Sequence, residues 1–320
     1  MLIAVFSILA GFAILLKSGD TLVEGASSIA ARYRVRPVVI GLTIVAFGTS
    51  APELVVNLLS AAKGTPALAI GNILGSNLVN LMFILGIAAV IRPLRVHLTI
   101  VTRETPFMLL AAILVLIMAS DVFLDGTAAD ALSRTDGLAL LGFFFIFLYY
   151  TFLTARGGTA EEGQKIRLMS AGKAAAMIAI GLAGLALGGN FLVDGAVSIA
   201  KLLGVSEGLI GLTIVAIGTS LPELVTSIIA ARKGMVDLAV GNVIGSNIFN
   251  IFFILGLTAT LIPLPFTRAN LVDAAILVAV SLIFFASLVV SKNKMIARWK
   301  GAILVGLYVA YLAYTIYVYV

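Results

Sequence analysis

Residues 41–54, GLTIVAFGTSAPEL, return almost unchanged at 211–224 as GLTIVAIGTSLPEL. Carried on to Leu94 and Leu264, the two stretches agree at 31 of 54 positions without a gap, at a constant offset of 170. Upstream, GDTLVEGASSIA (19–30) faces GNFLVDGAVSIA (189–200) at the same offset. Shared apolar composition does not put Gly, Pro, Glu, Ser and Asn in register, so the chain contains an internal repeat.

Each copy lies in strongly apolar sequence. Of the 320 residues, 61% are hydrophobic and 11% charged, with a mean hydropathy of +1.17; a soluble domain carries about 25% charged residues. Stretches recur that supply the roughly 20 residues needed to cross a hydrocarbon core of about 30 Å. Ten are read, at about 2–25, 37–62, 66–91, 105–120, 137–155, 172–200, 207–231, 238–264, 271–290 and 301–319. The expected fold is an all-α integral membrane protein of ten transmembrane helices. Five spans per copy is an odd number, so the second copy must enter the membrane the other way up. Residues 1–155 then form the first five-helix repeat (motif 41–94) and 172–320 the second, inverted repeat (motif 211–264), with a short cytoplasmic linker at 156–171. Inverted repeats with broken helices and a site at the midplane typify secondary transporters. The opening MLIAVFSILAGFAILL lacks a basic leader and its continuation recurs in the second copy, so it reads as a first helix and not a signal peptide.

The formal charge is +6, but the basic residues are spread by loop and form no single patch, which speaks against nucleic acid as a partner. Sixteen of the 21 fall in loops on one side; Lys63, Arg134, Lys201 and Arg268 fall on the other, and Lys17 lies in the first helix. The positive-inside rule makes the richer side cytoplasmic and puts both termini outside a cell membrane crossed many times. There is no cysteine and His97 is alone, which removes disulfides, thiolate metal sites and histidine triads. No HExxH motif, no paired aspartates of an intramembrane protease and no Asp-rich diphosphate motif occurs. The reading is a transporter and not an enzyme, with no cofactor and no obligatory protein partner; a passive channel is the other class.

Within these spans, Glu53 is the one charged residue between Arg36 and Lys63, and Glu223 repeats it. An ionised side chain at the bilayer centre costs at least about 2.5 to 3.5 kcal/mol on insertion scales. Lys63 and Lys233 are ten residues on, roughly 15 Å along a helix, so the neutralising charge is expected from solvent. Pro52 and Pro222 have no N–H and, beside Gly48 and Gly218, should break each helix before the glutamate. Carbonyls from Ala46 to Thr49, and from Ala216 to Thr219, then become available, as irregular backbone at membrane depth allows where it lines a cavity. Thr49, Ser50, Thr219 and Ser220 add hydroxyls, Ser50 being expected on the face of Glu53 at i−3. In the next helix Asn72, Ser76 and Asn80 fall at i, i+4 and i+8, as do Asn242, Ser246 and Asn250. Asn77 and Asn247 point elsewhere and are expected to bond between helices, and Asn57 stands behind Glu53.

Two carboxylates, amides, hydroxyls and carbonyls, with no nitrogen or sulfur donor required, make a hard-cation site. Ca²⁺ takes 6 to 8 oxygens in adaptable geometry, whereas Mg²⁺ gives up water reluctantly. Structural readings stand beside this one: protonated structural glutamates, ordinary proline kinks, and Ser and Asn as glue between helices, most of all for Asn72. Asp121, Asp125, Asp130 and Asp136 cluster in an outside loop and read as solvated.

GTSAPE with GNILGSNLVN, and GTSLPE with GNVIGSNIFN, resemble the two alpha repeats of the cation/calcium exchanger superfamily, in its Na⁺/Ca²⁺ exchanger branch of the prokaryotic type. The resemblance implies ten helices in two inverted halves and an antiporter that exchanges Na⁺ for Ca²⁺ by alternating access. It implies that Glu53 and Glu223 are shared ligands of Ca²⁺ and Na⁺, and that the Thr49 and Thr219 carbonyls complete the Ca²⁺ site. Ala46, Thr49, Ser50 and Ser246 would form one Na⁺ site; Ala216, Thr219, Ser220 and Ser76 its mirror image; Asn80 and Asn250 would line the middle. Thr49 and Thr219 stand where the proton-coupled branch typically has Asn, which favours Na⁺; an H⁺-coupled Ca²⁺ exchanger is the alternative. Asn250 replaces an Asp of K⁺-dependent members, which speaks against K⁺ co-transport. The linker is too short for the Ca²⁺-sensing domains of animal exchangers. Ca²⁺, Na⁺ and the lipid bilayer are the expected partners.

Overall fold

A computed structural model describes residues 1–155, 168–203, 216–291 and 293–319. Its main helices are α1 (Leu2–Tyr33), α2 (Pro37–Thr49), α3 (Ala51–Ala62), α4 (Pro66–Ile91), α5 (Ile100–Met118) and α6 (Arg134–Thr154). The second half continues with α7 (Ala171–Leu202), α8 (Ala216–Thr219), α9 (Leu221–Arg232), α10 (Val236–Leu261), α11 (Arg268–Val290) and α12 (Arg298–Tyr319). Eight are long and apolar enough to cross a membrane, or nine if α2 and α3 form one bent span. The start of the expected seventh span and most of the linker lie outside the described residues.

Several boundaries differ from the reading of composition. α1 runs on past residue 25 to Tyr33, because the following turns stay helical with Ala26, Ser27, Ser28 and Ala30 buried; it ends where Arg34 turns left-handed at φ 53°. The fourth span begins at Ile100, since Thr102, Arg103 and Glu104 stay helical below the apolar run. The aspartate loop is structured as well as wet. Asp130 accepts from Val122 N (2.8 Å), Asp121 from Ala131 N (2.9 Å), and Asp136 closes a capping box with Ser133 at the start of α6.

Matched residues make matched turns. Gly64 (φ 75°) ends α3 and Gly234 (φ 83°) ends α9, both in the left-handed region where glycine meets no Cβ penalty. Helices α4 and α10 are the centre of the molecule: their apolar windows are 78% and 94% buried, against 22–44% for the remaining long spans. The halves interlock around them. α12 packs on α4, where a Cβ at Gly86 would lie 2.9 Å from the Gly301 carbonyl, and α6 packs on α10, where a Cβ at Gly137 would lie 2.6 Å from the Gly256 carbonyl. Small residues at these crossings let the backbones approach. Two short antiparallel ladders, Leu94–Arg95 with Met295–Ile296 and Ala131–Leu132 with Leu264–Pro265, stitch the same halves together.

On one flank α1 and α7 run antiparallel in long contact, with Gly11 against Gly188 and Gly195 against Ala4. α2 lies along α10, where a Cβ at Gly241 would come within 2.6 Å of the Val38 carbonyl.

Candidate ion-binding site

The break before each glutamate is where proline chemistry puts it. Ser50 (φ −84°, ψ 7°) separates α2 from α3, bent by 44°, and Ser220 (φ −87°, ψ 6°) separates α8 from α9. Pro52 has no N–H for the Gly48 carbonyl, and the next α3 rung runs from Leu54 N to the Ser50 carbonyl at 3.2 Å. Leu224 N repeats it on the Ser220 carbonyl at 3.0 Å. Glu53 and Glu223 therefore sit in the first turns of α3 and α9, where the helix dipole favours negative charge.

Both glutamates are buried. Their hydrogen bonds cross between the halves. Ser50 Oγ donates to Glu223 Oε1 at 2.7 Å and Ser220 Oγ donates to Glu53 Oε1 at 3.3 Å. The expectation that Ser50 shares the face of Glu53 is corrected: with the chain broken at Ser50, its side chain leaves the α3 face and reaches the opposite copy. Ser246 Oγ joins Ser50 on Glu223 Oε1 at 3.4 Å, and Thr49 lies beside the same carboxylate; Thr219 lies beside Glu53.

Thr49, Ser50 and Ser246 thus gather around Glu223, and the Ala46 carbonyl is bonded to two of them. The Ala46 carbonyl accepts from Ser50 N (3.0 Å) and Thr49 Oγ1 (3.3 Å), so an ion bound there would displace the hydroxyl. In the mirror set, Thr219, Ser220 and Glu53 are together, Ser76 is buried with no partner on its hydroxyl, and Ala216 opens α8. Asn80 and Asn250 lie in π-helical segments, Val79–Ile84 and Phe249–Leu255; such bulges are frequent at functional sites and turn the side chains off the plain α-helical face.

The amides hold this arrangement. Asn242 Oδ1 accepts from Thr49 Oγ1 (3.2 Å) while its Nδ2 donates to Ser227 Oγ (2.9 Å); Asn72 Oδ1 accepts from Thr219 Oγ1 (3.3 Å). Asn72 and Asn242 therefore bond between helices, as the structural reading of Asn72 expects, and each does so to a threonine of the opposite copy. Asn57 Nδ2 bonds the Glu53 backbone carbonyl at 2.9 Å, and Asn247 and Asn250 both donate to Asn77, as bonding between helices requires.

Oxygen atoms remain after these bonds. Glu53 Oε2, Glu223 Oε2, Ser76 Oγ, Asn80 Oδ1 and Asn250 Oδ1 are buried without a protein partner. Burying such atoms unpaired costs on the order of 1–3 kcal/mol each, and more for a charge. No lysine or arginine pairs with either glutamate and no third acid joins them among the described residues. The chemistry left open is binding of a hard cation by oxygen donors that include two carboxyl groups.

Fold and site together define a multi-pass membrane protein with an acidic, oxygen-lined centre. The family profile described as sodium/calcium exchanger protein matches residues 3–153 and 173–317, and the chain belongs to that family. It is 37% identical over 329 residues to the inner membrane protein YrbG of Escherichia coli, covering 98% of this chain and 97% of the relative. It is 32% identical over 344 residues to the sodium/calcium exchanger MaX1 of Methanosarcina acetivorans, covering 97% and 98%. The structure of the sodium-calcium exchanger NCX_Mj, from crystals soaked with Na⁺ and Sr²⁺, superposes with a TM-score of 0.84 at 33% identity over 98% of each chain. The family is one of secondary exchangers, and exchange of Ca²⁺ against another cation is the activity it carries.

Proposed function

We propose that this chain is a Na⁺-coupled Ca²⁺ antiporter of the cell membrane, working by alternating access, electrogenic and independent of K⁺. The observation that carries the reading is the pair of buried glutamates, each bonded across to the other copy's serine and each keeping one oxygen without a partner. Ca²⁺ satisfies two negative charges at once; several Na⁺ ions satisfy the same two charges separately, so the ions compete. Glu53 and Glu223 are the shared ligands. Ala46, Thr49, Ser50 and Ser246 serve one Na⁺ position, Ala216, Thr219, Ser220 and Ser76 the other, with Asn80 and Asn250 between them.

The reading includes ten spans in two inverted five-helix halves with both termini outside. The antiparallel contact of α1 with α7, the first helices of the two copies, supports the inversion. A doubly charged site without ions is costly to carry through lipid, so the carrier alternates mainly when loaded, and exchange is obligatory. With three Na⁺ per Ca²⁺ one net charge crosses per cycle. Thr49 and Thr219 stand where the proton-coupled branch typically has Asn, which favours Na⁺ over H⁺ as the coupling ion.

The test is uptake of radiolabelled Ca²⁺ into proteoliposomes. A Na⁺ gradient at clamped pH drives uptake and a pH gradient alone does not; the opposite result replaces Na⁺ by H⁺. Glu53→Gln and Glu223→Gln run in parallel, and unchanged exchange in both contradicts the site.

A further inference from the structure

Lys233, just past the end of α9, reaches two acids of α1: Asp20 at 2.8 Å and Glu24 at 3.2 Å. The two acids are four residues apart and so share a helix face. Beneath this ion pair α1 lies closely on α9. A Cβ at Gly19 would meet Ile229 Cδ1 at 2.8 Å and Val225 Cγ1 at 2.9 Å, and Val225 and Ile229 are each 8% exposed.

The repeat supplies the same parts again at an offset of 170: Gly189 for Gly19, Val55 and Leu59 for Val225 and Ile229, Lys63 for Lys233, Asp194 for Glu24, and Asn190 for Asp20. In the second set the parts stand apart. A Cβ at Gly189 finds only the Gly218 carbonyl, at 4.0 Å; Val55 and Leu59 are 54% and 51% exposed; α7 makes little contact with α3. Lys63 and Asp194 are exposed, and among the described residues no ion pair joins them. One molecule thus holds the same pattern in two arrangements, assembled at one end and separated at the other.

We infer that these are alternate latches. Lys233 with Asp20 and Glu24 holds α1 on α9; when α1 and α7 shift together along the core, that latch opens and Lys63 with Asp194 closes α7 onto α3. The inference rests on the alternating-access reading and adds the residues that weigh the two states. The latches are unequal: Lys233 has two acids, while Lys63 has Asp194 and the neutral Asn190, so the arrangement seen here is the favoured one.

The absence of cysteine lets spin labels be placed at will. Purified full-length chain in lipid nanodiscs carries one of two mirror-related label pairs on exposed positions, Ala13→Cys with Arg232→Cys, or Ala183→Cys with Ala62→Cys, and pulsed electron resonance reads the distance distributions. Lys233→Gln shifts population reciprocally, lengthening the first distance and shortening the second, by about 2- to 5-fold in the ratio of states, the range of an exposed ion pair. Asn190→Asp moves both the same way, and Lys63→Gln moves both in reverse. Distributions that do not move, or a change at the first pair without its counterpart at the second, overturn the latch and leave a local surface bridge. Because the distances are read without transport, an inactive protein whose distances shift reciprocally would sink the exchange reading alone; active exchange with unmoved distances would sink the latch alone.

Discussion

Ser50 Oγ donates a hydrogen bond to Glu223 Oε1 at 2.7 Å, across the boundary between the two copies, while the reciprocal bond from Ser220 to Glu53 is longer, at 3.3 Å. A hydrogen bond to a charged group contributes about 1.5–3 kcal/mol. Ser50→Ala should therefore raise the Na⁺ concentration for half-maximal Ca²⁺ exchange by about 10-fold or more, and Ser220→Ala by less. Na⁺ titration of exchange in proteoliposomes checks the order; equal effects would show that the crosswise bonds do not set affinity.

Removing either carboxylate has a larger effect. Glu53→Gln or Glu223→Gln leaves one negative charge for a divalent ion, and losing a close charge pair costs about 2–5 kcal/mol. Ca²⁺ affinity should fall by roughly 30-fold or more. Calorimetric Ca²⁺ titration of the detergent-solubilised protein measures this separately from transport.

Asn242 holds Thr49 across the copies at 3.2 Å, so the two should act as a unit. Asn242→Ala and Thr49→Ala should each weaken Na⁺ binding, and the double variant should lose less than the sum, with a coupling of about 0.5–3 kcal/mol. Strict additivity in a double-mutant cycle would mean that Asn242 does not orient the hydroxyl.

Gly241 lies where α10 meets α2, and its replacement tests the packing that supports the site. Gly241→Ala brings a Cβ to 2.6 Å from the Val38 carbonyl, which forces the helices apart. Overpacking of this kind costs about 1–3 kcal/mol. A lower thermal unfolding midpoint is expected, together with weaker ion binding; an unchanged midpoint would mean that the crossing yields freely.

The proposed electrogenicity rests on three Na⁺ exchanging for one Ca²⁺, the ratio the family resemblance implies. With a site of −2, a Ca²⁺-loaded carrier is neutral and a carrier loaded with three Na⁺ bears +1. A Na⁺ jump on proteoliposomes adsorbed to a solid-supported membrane should give a current in the direction of Na⁺ movement, and none in the double variant Glu53→Gln, Glu223→Gln. Exchange without current would set the ratio at two Na⁺ per Ca²⁺.

Much of this protein was legible residue by residue. Pro52 and Pro222 forecast the breaks because a missing N–H acts locally, whatever the helix packs against. Apolar composition marked the spans for the same kind of reason, since each segment meets lipid on its own account. The ends were less legible: α1 outlasts its expected stretch because residues 26–33 stay helical, with Ala26, Ser27, Ser28 and Ala30 buried against the rest of the fold.

The sequence by itself determined an apolar all-helical membrane protein of the sodium/calcium exchanger family, with an internal repeat and two acids without neighbouring basic partners, because composition, proline chemistry and register are properties of short stretches. Which serine bonds which glutamate, which amide steadies which threonine, and which of two equivalent lysines finds its acids were decided only by the tertiary structure. Those pairings join residues roughly 150 to 210 positions apart, held at 2.7–3.3 Å. Contacts that short between segments so distant in the chain depend on how the halves interlock, and two copies of one motif can therefore make different contacts.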